Sequence, residues 1–203
     1  LRDGGYYTNW DFSSEVVKNY IVAMDDLPID YIEIGYRSLP NENYYGEFFY
    51  CPISTIDYLN SLTKTPLAII LNERDIKIHN LQELLLPCLN KVKMVRMAVD
   101  PKNFSSAIQK AEEIKKMGFE VAFNVMYLSE WIEGSDFLDQ MQGIENHIDY
   151  FYMVDSFGAV YPSQIKPLIN EIKQRTNVKL GFHGHNNLEL AHANSLIAVK
   201  EGV

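Results

Sequence analysis

Apolar and polar positions alternate along this chain in two rhythms. Short runs that are continuously apolar or rich in β-branched residues predict strands at Ile29 to Gly35, Leu67 to Leu71, Lys93 to Val99, Phe119 to Val125, Ile148 to Val154 and Val178 to His183. Between them the apolar residues recur at helical spacing. Val16, Val17, Tyr20, Ile21 and Met24 form one such face, opened by Ser13 or Ser14 as N-cap with Glu15 in the first turn and closed before Pro28. Pro52 opens a helix that ends near Leu62, and His79-Asn80 lead into another that runs through Leu89. Phe104, Ala107, Ile108, Ala111, Ile114 and Met117 place Pro101 to Met117 in the most regular helix, stopped by Gly118. Glu130 to Met141 is a weaker helical pattern, and helices over Pro162 to Gln174 and Leu188 to Lys200 complete the set.

Leu1 to Asp3 read as the last residues of an earlier strand, which makes seven strands separated by helices. Strict alternation with near-continuous apolar strands predicts a parallel sheet covered by helices. Repeats of about 30 residues favour a TIM (β/α)8 barrel over an open doubly wound sheet. No GxGxxG follows the first strand, as a dinucleotide-binding fold would require. A barrel typically takes about 250 residues. The 203 residues are therefore expected to be one barrel domain, 1–203, trimmed at both ends, with its eighth strand outside this sequence.

Composition narrows the function classes. Hydrophobic residues at 47% and aromatics at 12% fit a chain with a substantial core. A formal net charge of -9 without a basic stripe argues against nucleic-acid binding, which needs clustered Lys and Arg. Cys51 and Cys88 lack CxxC spacing, which suits a reducing, cytoplasmic setting. No apolar run approaches the roughly 18 to 20 residues that span a bilayer, so no membrane attachment is expected. A homo-oligomer is compatible with the sequence, which does not specify one.

The candidate chemistry lies at the strand ends, where barrel active sites are built. Those ends carry Arg2-Asp3, Glu33 with Tyr36-Arg37, Asn72, Arg96, Asn124, Asp155-Ser156 and His183 with His185. In an extended strand His183 and His185 project to the same side, with Gly184 between them. Two such histidines are either structural hydrogen-bonding residues or two ligands of one metal. Glycines around them and a strand-to-helix junction favour ligands, and Asp3 is the obvious carboxylate to complete the set. One carboxylate and two imidazoles leave coordination positions open for a substrate that binds through oxygen. The segment Tyr36 to Tyr50 has no clear period but carries Tyr44, Tyr45, Phe48, Phe49 and Tyr50. It is either a functional lid or a set of aromatics plugging the barrel rim.

Leu1-Arg2-Asp3-Gly4, Ile32-Glu33, Val154 to Gly158, Gly181 to Leu188 and Ala193-Asn194-Ser195 together resemble the DRE-TIM metallolyase superfamily. Within it they are most similar to the 4-hydroxy-2-oxovalerate aldolase group. The resemblance runs through the whole chain in the family's order. It implies a divalent metal, Mn or Mg, held by Asp3, His183 and His185, and a 2-oxo acid substrate whose pyruvate-type enolate forms as a carbon–carbon bond is made or broken. It also implies that Arg2 stabilises the enolate oxygen and that Glu33 orients nearby groups or water. Ser156 matches a serine that helps position the substrate carboxylate, with Asp155 as its structural neighbour. From their strand-end positions, Arg96 and Asn124 are further substrate-binding candidates. The departure is Tyr6, which stands where the aldolases carry a histidine base and the Claisen-condensing relatives a glutamine. A phenol with an ordinary pKa of about 10 is a poor base near neutrality. Tyr6 or Tyr7 is the candidate replacement, or another residue deprotonates the substrate. An acyl-CoA-using Claisen synthase of the same superfamily is the second enzyme reading, and loss of the usual base adds a non-catalytic metal- or ligand-binding barrel.

Overall fold

The computed structural model describes residues 1–132 and 136–203. Its helices and strands alternate as α1 (Ser14–Asp25), β1 (Ile32–Tyr36), α2 (Glu47–Tyr50), α3 (Ile53–Leu62), β2 (Leu67–Asn72), α4 (Leu81–Leu85), β3 (Met94–Val99), α5 (Phe104–Lys116), β4 (Glu120–Val125), α6 (Leu128–Trp131), β5 (Tyr150–Asp155), α7 (Pro162–Lys173), β6 (Lys179–Gly184) and α8 (Ala191–Lys200). The strands form one open parallel sheet in the order β1-β2-β3-β4-β5-β6, an α/β arrangement consistent with part of a TIM barrel. Every residue of β2 from Leu67 to Leu71 is buried, as are Val121 to Val125 of β4. Strands buried on both faces need no polar alternation, and this explains the unbroken apolar runs. Among the described residues no helix is long and apolar enough to cross a membrane.

The chain divides into two compact units. The first holds residues 1–97 with 113–120. Its core includes Ile21, Ile34, Ile56, Leu59, Ile69, Leu71, Leu85 and Val95, all fully or almost fully buried. The Ser13 hydroxyl caps α1 by accepting from the Val16 amide at 3.3 Å. Where α1 ends, Asp25 gathers the turn before β2: one carboxylate oxygen accepts from the Thr63 hydroxyl, the Lys64 amide at 3.0 Å, and the Thr65 amide and hydroxyl at 3.0 and 2.8 Å. Those bonds, led by the Thr63 and Thr65 hydroxyls, hold the Asp25 carboxyl down at about 2.

β1 carries an irregularity that strand periodicity alone does not predict. Its register on β2 pairs Glu33 with Ala68, then skips to Gly35 with Ile69 and Tyr36 with Ile70. Ala68 and Ile70 lie two apart on β2 and share a face. Glu33 and Tyr36, three apart, are thereby brought to one face. Gly35 is required at this bulge, because a Cβ there would stand 2.1 Å from the Phe48 carbonyl oxygen of α2.

The second unit holds residues 98–112 with 121–203. Phe123, Phe151, Ile165 and Ile169 are fully buried in its core beside Phe104 of α5. The α5 stripe of Phe104, Ala107, Ala111 and Ile114 is buried as its spacing predicts, and Gly118 follows the helix at φ 96°.

Four sequence expectations are corrected. Leu1 to Asp3 are not a strand: Arg2 is helical in backbone conformation and a 3-10 turn runs over Asp3–Tyr7, so the described residues hold six strands rather than seven. The helix expected through Leu89 is cut to Leu81–Leu85, then a 3-10 turn over Leu86–Cys88, because Pro87 has no amide to continue it. The helix expected over Glu130 to Met141 becomes α6 and a 3-10 turn over Leu138–Met141, with its residues 133–135 outside the described part. The last helix begins at Ala191, whose amide donates to Asn186 Oδ1 at 3.2 Å, rather than at Leu188.

Candidate active site

In the first unit the site is built on the 3-10 turn, on β1 and on β3. Arg2 is buried and donates from Nε to Glu33 Oε2 at 2.7 Å, while Arg96 of β3 donates from Nη1 to Glu33 Oε1 at 2.7 Å. One carboxylate thus fixes two guanidiniums, each by a charge-assisted hydrogen bond. Burial alone would lower the Arg2 pKa, but the charge and hydrogen bond of Glu33 outweigh it and push the pKa up. Arg2 is therefore a permanent, oriented cation. A second guanidinium nitrogen of Arg2 pairs with Asp3, whose side chain is largely exposed. The turn dissolves a conflict that strand geometry imposes. Residues outside a strand need not alternate in direction, so Arg2 and Asp3 can act together.

Tyr6, on the same turn, places its hydroxyl 2.8 Å from that of Tyr36 on β1. Burial first, then the bond to Tyr6, raise the Tyr36 phenol above its ordinary value. Around the pair stands an aromatic wall. Trp10 makes ring contacts with Tyr6, Tyr36, Tyr45 and Phe49, and Tyr45 stacks on Phe49 at 4.2 Å between centroids. Trp10 also donates from Nε1 to the Arg2 carbonyl at 3.0 Å. Sequence reasoning missed Trp10. Its signal is Gly5, where a Cβ would meet the indole at 2.1 Å. In the segment Tyr36 to Tyr50, Tyr45 and Phe49 join this wall, whereas Tyr44 is exposed and donates to Asp11 Oδ2 at 2.6 Å. Arg37, a polar strand-end residue, is structural: it donates to the carbonyls of Leu84 at 2.9 Å, Tyr50 at 3.0 Å and Cys51 at 3.2 Å.

In the second unit β6 delivers His183 and His185 side by side, ring centroids 4.9 Å apart and planes 31° from parallel. His185 Nδ1 lies 2.8 Å from the Asp155 carbonyl oxygen. An imidazole that donates Nδ1–H to a carbonyl presents Nε2 as an acceptor, the tautomer a metal ligand needs. The buried Asp155 carboxylate accepts from the amides of Ala159 at 3.0 Å and Val160 at 3.2 Å, and so shapes the turn after β5. Gly158 in that turn has φ 58°, and a Cβ there would stand 2.7 Å from the Asn187 amide nitrogen and 2.9 Å from the His185 carbonyl oxygen. Only glycine lets the Asp-Ser-Phe-Gly turn lie against the His-Gly-His-Asn turn. Asn194 of α8 is buried and ties the two further by donating to the Val160 carbonyl at 2.8 Å. Ser156 Oγ accepts from the Tyr127 amide at 2.9 Å, which leaves its own proton for another acceptor. Asn124 of β4 is buried. Among the described residues no three His, Cys, Asp or Glu side chains are gathered as a metal centre.

Residues 89–203 match the HMGL-like family model, and the chain belongs to the HMGL-like family. It is 30% identical to a 4-hydroxy-2-oxovalerate aldolase of Geobacillus thermodenitrificans over 100% of its own length and 59% of that protein's. It is 28% identical to the Bacillus thuringiensis enzyme of the same name over the same shares. The chain therefore spans about 59% of the curated relatives it matches. A crystal structure described as the N-terminal domain of a candidate aldolase from Bacteroides vulgatus superposes with a TM-score of 0.97 at 48% identity, covering 100% of this chain and 68% of that one. The carboxyl transferase domain of Rhizobium etli pyruvate carboxylase with pyruvate and biocytin shares the fold alone, at TM-score 0.63 and 13% identity over 75% of this chain and 28% of that one.

Proposed function

We propose that this chain carries the core of a divalent-metal-dependent aldolase, a carbon–carbon lyase that makes or breaks a bond next to the pyruvate-type enolate of a 2-oxo acid. The observation that carries it is the His183–His185 pair with Nδ1 of His185 held on a backbone carbonyl, because that contact prepares the opposite nitrogen for a metal. Two imidazoles with a carboxylate added are a donor set for a divalent metal that keeps positions open, and Mn or Mg is the metal the family pattern implies. Asp3 enters this ligand set from the family pattern together with His183 and His185. When bound, the metal would act as a Lewis acid toward the keto oxygen and carboxylate of the substrate.

The chain's own residues supply the rest. Arg2, buried and fixed by Glu33, presents permanent positive charge to an oxygen that becomes negative in the transition state. Glu33 does not touch substrate in this account; it orients Arg2 and Arg96. Arg96 adds a second cation for an anionic substrate. The Ser156 hydroxyl, already an acceptor toward the Tyr127 amide, donates to the substrate carboxylate, and the buried Asn124 of β4 is a further substrate-binding residue in this reading. The two free, buried cysteines support a reducing, cytoplasmic setting.

The test is incubation with Mn and a panel of 4-hydroxy-2-oxo acids, following pyruvate release. Metal-dependent release abolished by His183→Ala supports the proposal. Metal binding without turnover of any acid, or thiol release from acetyl-CoA with a 2-oxo acid, would replace it with the binding-barrel or Claisen alternative.

A further inference from the structure

The enolate half of the chemistry has Arg2, but the partner molecule also needs a proton. When a pyruvate enolate adds to an aldehyde, its methylene carbon bonds to the carbonyl carbon, the carbonyl π pair moves onto oxygen, and that oxygen needs a proton. Tyr6 is 61% exposed and sits on the same turn as Arg2, so its hydroxyl can face a substrate. Among the described residues its hydroxyl hydrogen-bonds with that of Tyr36 at 2.8 Å. Tyr36 is buried, at 8% exposure, with Trp10 against its ring at 5.6 Å and Phe49 at 5.6 Å. Arg2 and Glu33 both lie close enough to act on its charge.

We infer that Tyr36 is a positioning residue that donates its hydroxyl proton to Tyr6 Oη, and that this directs the Tyr6 proton to the acceptor aldehyde's oxygen as the bond forms. The assignment rests on the aldolase proposal above and deepens it. The direction of the bond follows from burial. A phenol shut away from water keeps its proton, and the raised Tyr36 value agrees. After transfer, the Tyr6 phenolate keeps the Tyr36 hydrogen bond and recovers a proton from water, so nothing is oxidised or reduced. A phenol is a poor base at neutral pH but a competent donor to an alkoxide. The same hydroxyl serves both directions, giving its proton in addition and, as the phenolate, taking it back in cleavage.

Two readouts separate this from the proposal it rests on. Exchange of pyruvate methyl protons in D2O reports enolisation and needs no acceptor. Aldol addition to a panel of short aldehydes needs the donor. Tyr36→Phe should leave exchange within about twofold and lower kcat for addition about tenfold with KM little changed. Tyr6→Phe should lower it about 100-fold, in the range for loss of an acid–base group. Tyr36→Phe should add little in the Tyr6→Phe background, because the two act as one unit. In protein labelled at tyrosine Cζ, Tyr6→Phe should bring the Tyr36 titration down. Unchanged addition in Tyr36→Phe, an unmoved Tyr36 titration in Tyr6→Phe, or wild-type exchange without addition to any aldehyde overturns the donor role. Absence of exchange in the wild type overturns the enolate proposal itself.

Discussion

Glu33 and Tyr36 are three residues apart on β1 and share one face of the sheet, because the register on β2 skips between Glu33 and Gly35. That single irregularity hands one side of the strand both the carboxylate that fixes Arg2 and Arg96 and the phenol that holds Tyr6.

Glu33→Gln keeps the shape of the side chain but removes the charge between two guanidiniums. It should cost about 2–4 kcal/mol of stability, since one partner of a largely buried ion-pair network is lost. Urea denaturation measures the cost, and pyruvate exchange should fall at least tenfold as Arg2 loses its orientation.

Gly158→Ala should act on the histidines through the backbone of their turn. Its Cβ would press on the Asn187 amide and the His185 carbonyl from a left-handed backbone position, a strain of about 1–3 kcal/mol. Calorimetric titration with Mn should show affinity reduced about tenfold. Gly118→Ala, at φ 96° with nothing within 4 Å, should lose stability and leave Mn affinity unchanged.

The Asp25 carboxyl gives a pH test of the fold alone. Its folded value of about 2 lies below the ordinary 3.8, so its bonds stabilise the protein above about pH 3.8 and are lost as the pH falls toward 2. Asp25→Asn should be less stable than the wild type at pH 7. The difference should shrink on acidification through that window, read from urea midpoints at each pH.

Metal removal should separate chemistry from folding. Dialysis against EDTA should abolish pyruvate exchange and Mn should restore it, while far-ultraviolet circular dichroism stays unchanged, because the cores of both units are built from packed apolar side chains.

Much of this was legible in the chain. The apolar runs became β1 to β6 within about three residues at each end, and the α5 stripe is buried as spaced, because both patterns report burial directly. Of the residues expected at strand ends, Asn124 and Asp155 lie in the last two positions of β4 and β5, whereas Glu33 stands second in β1 and Arg96 third in β3, because β1 begins at Ile32 rather than Ile29 and Arg96 lies within its strand. What stayed hidden depends on neighbours. The bulge at Gly35 exists because the Phe48 carbonyl packs there, and the Trp10 wall exists because Gly5 leaves room for an indole. No local period records either contact. Arg2 and Asp3 read as a strand end because a glycine pair after two polar residues looks the same whether a strand stops there or the chain curls into a 3-10 turn.

The most direct measurement is the rate at which pyruvate methyl protons exchange with D2O in the presence of Mn, compared between wild type and His185→Ala at matched fold stability. The account predicts exchange well above the protein-free rate in the wild type and none above it in the variant. Equal exchange in both, or none in the wild type with Mn bound, would contradict an enolate formed at this pair of histidines.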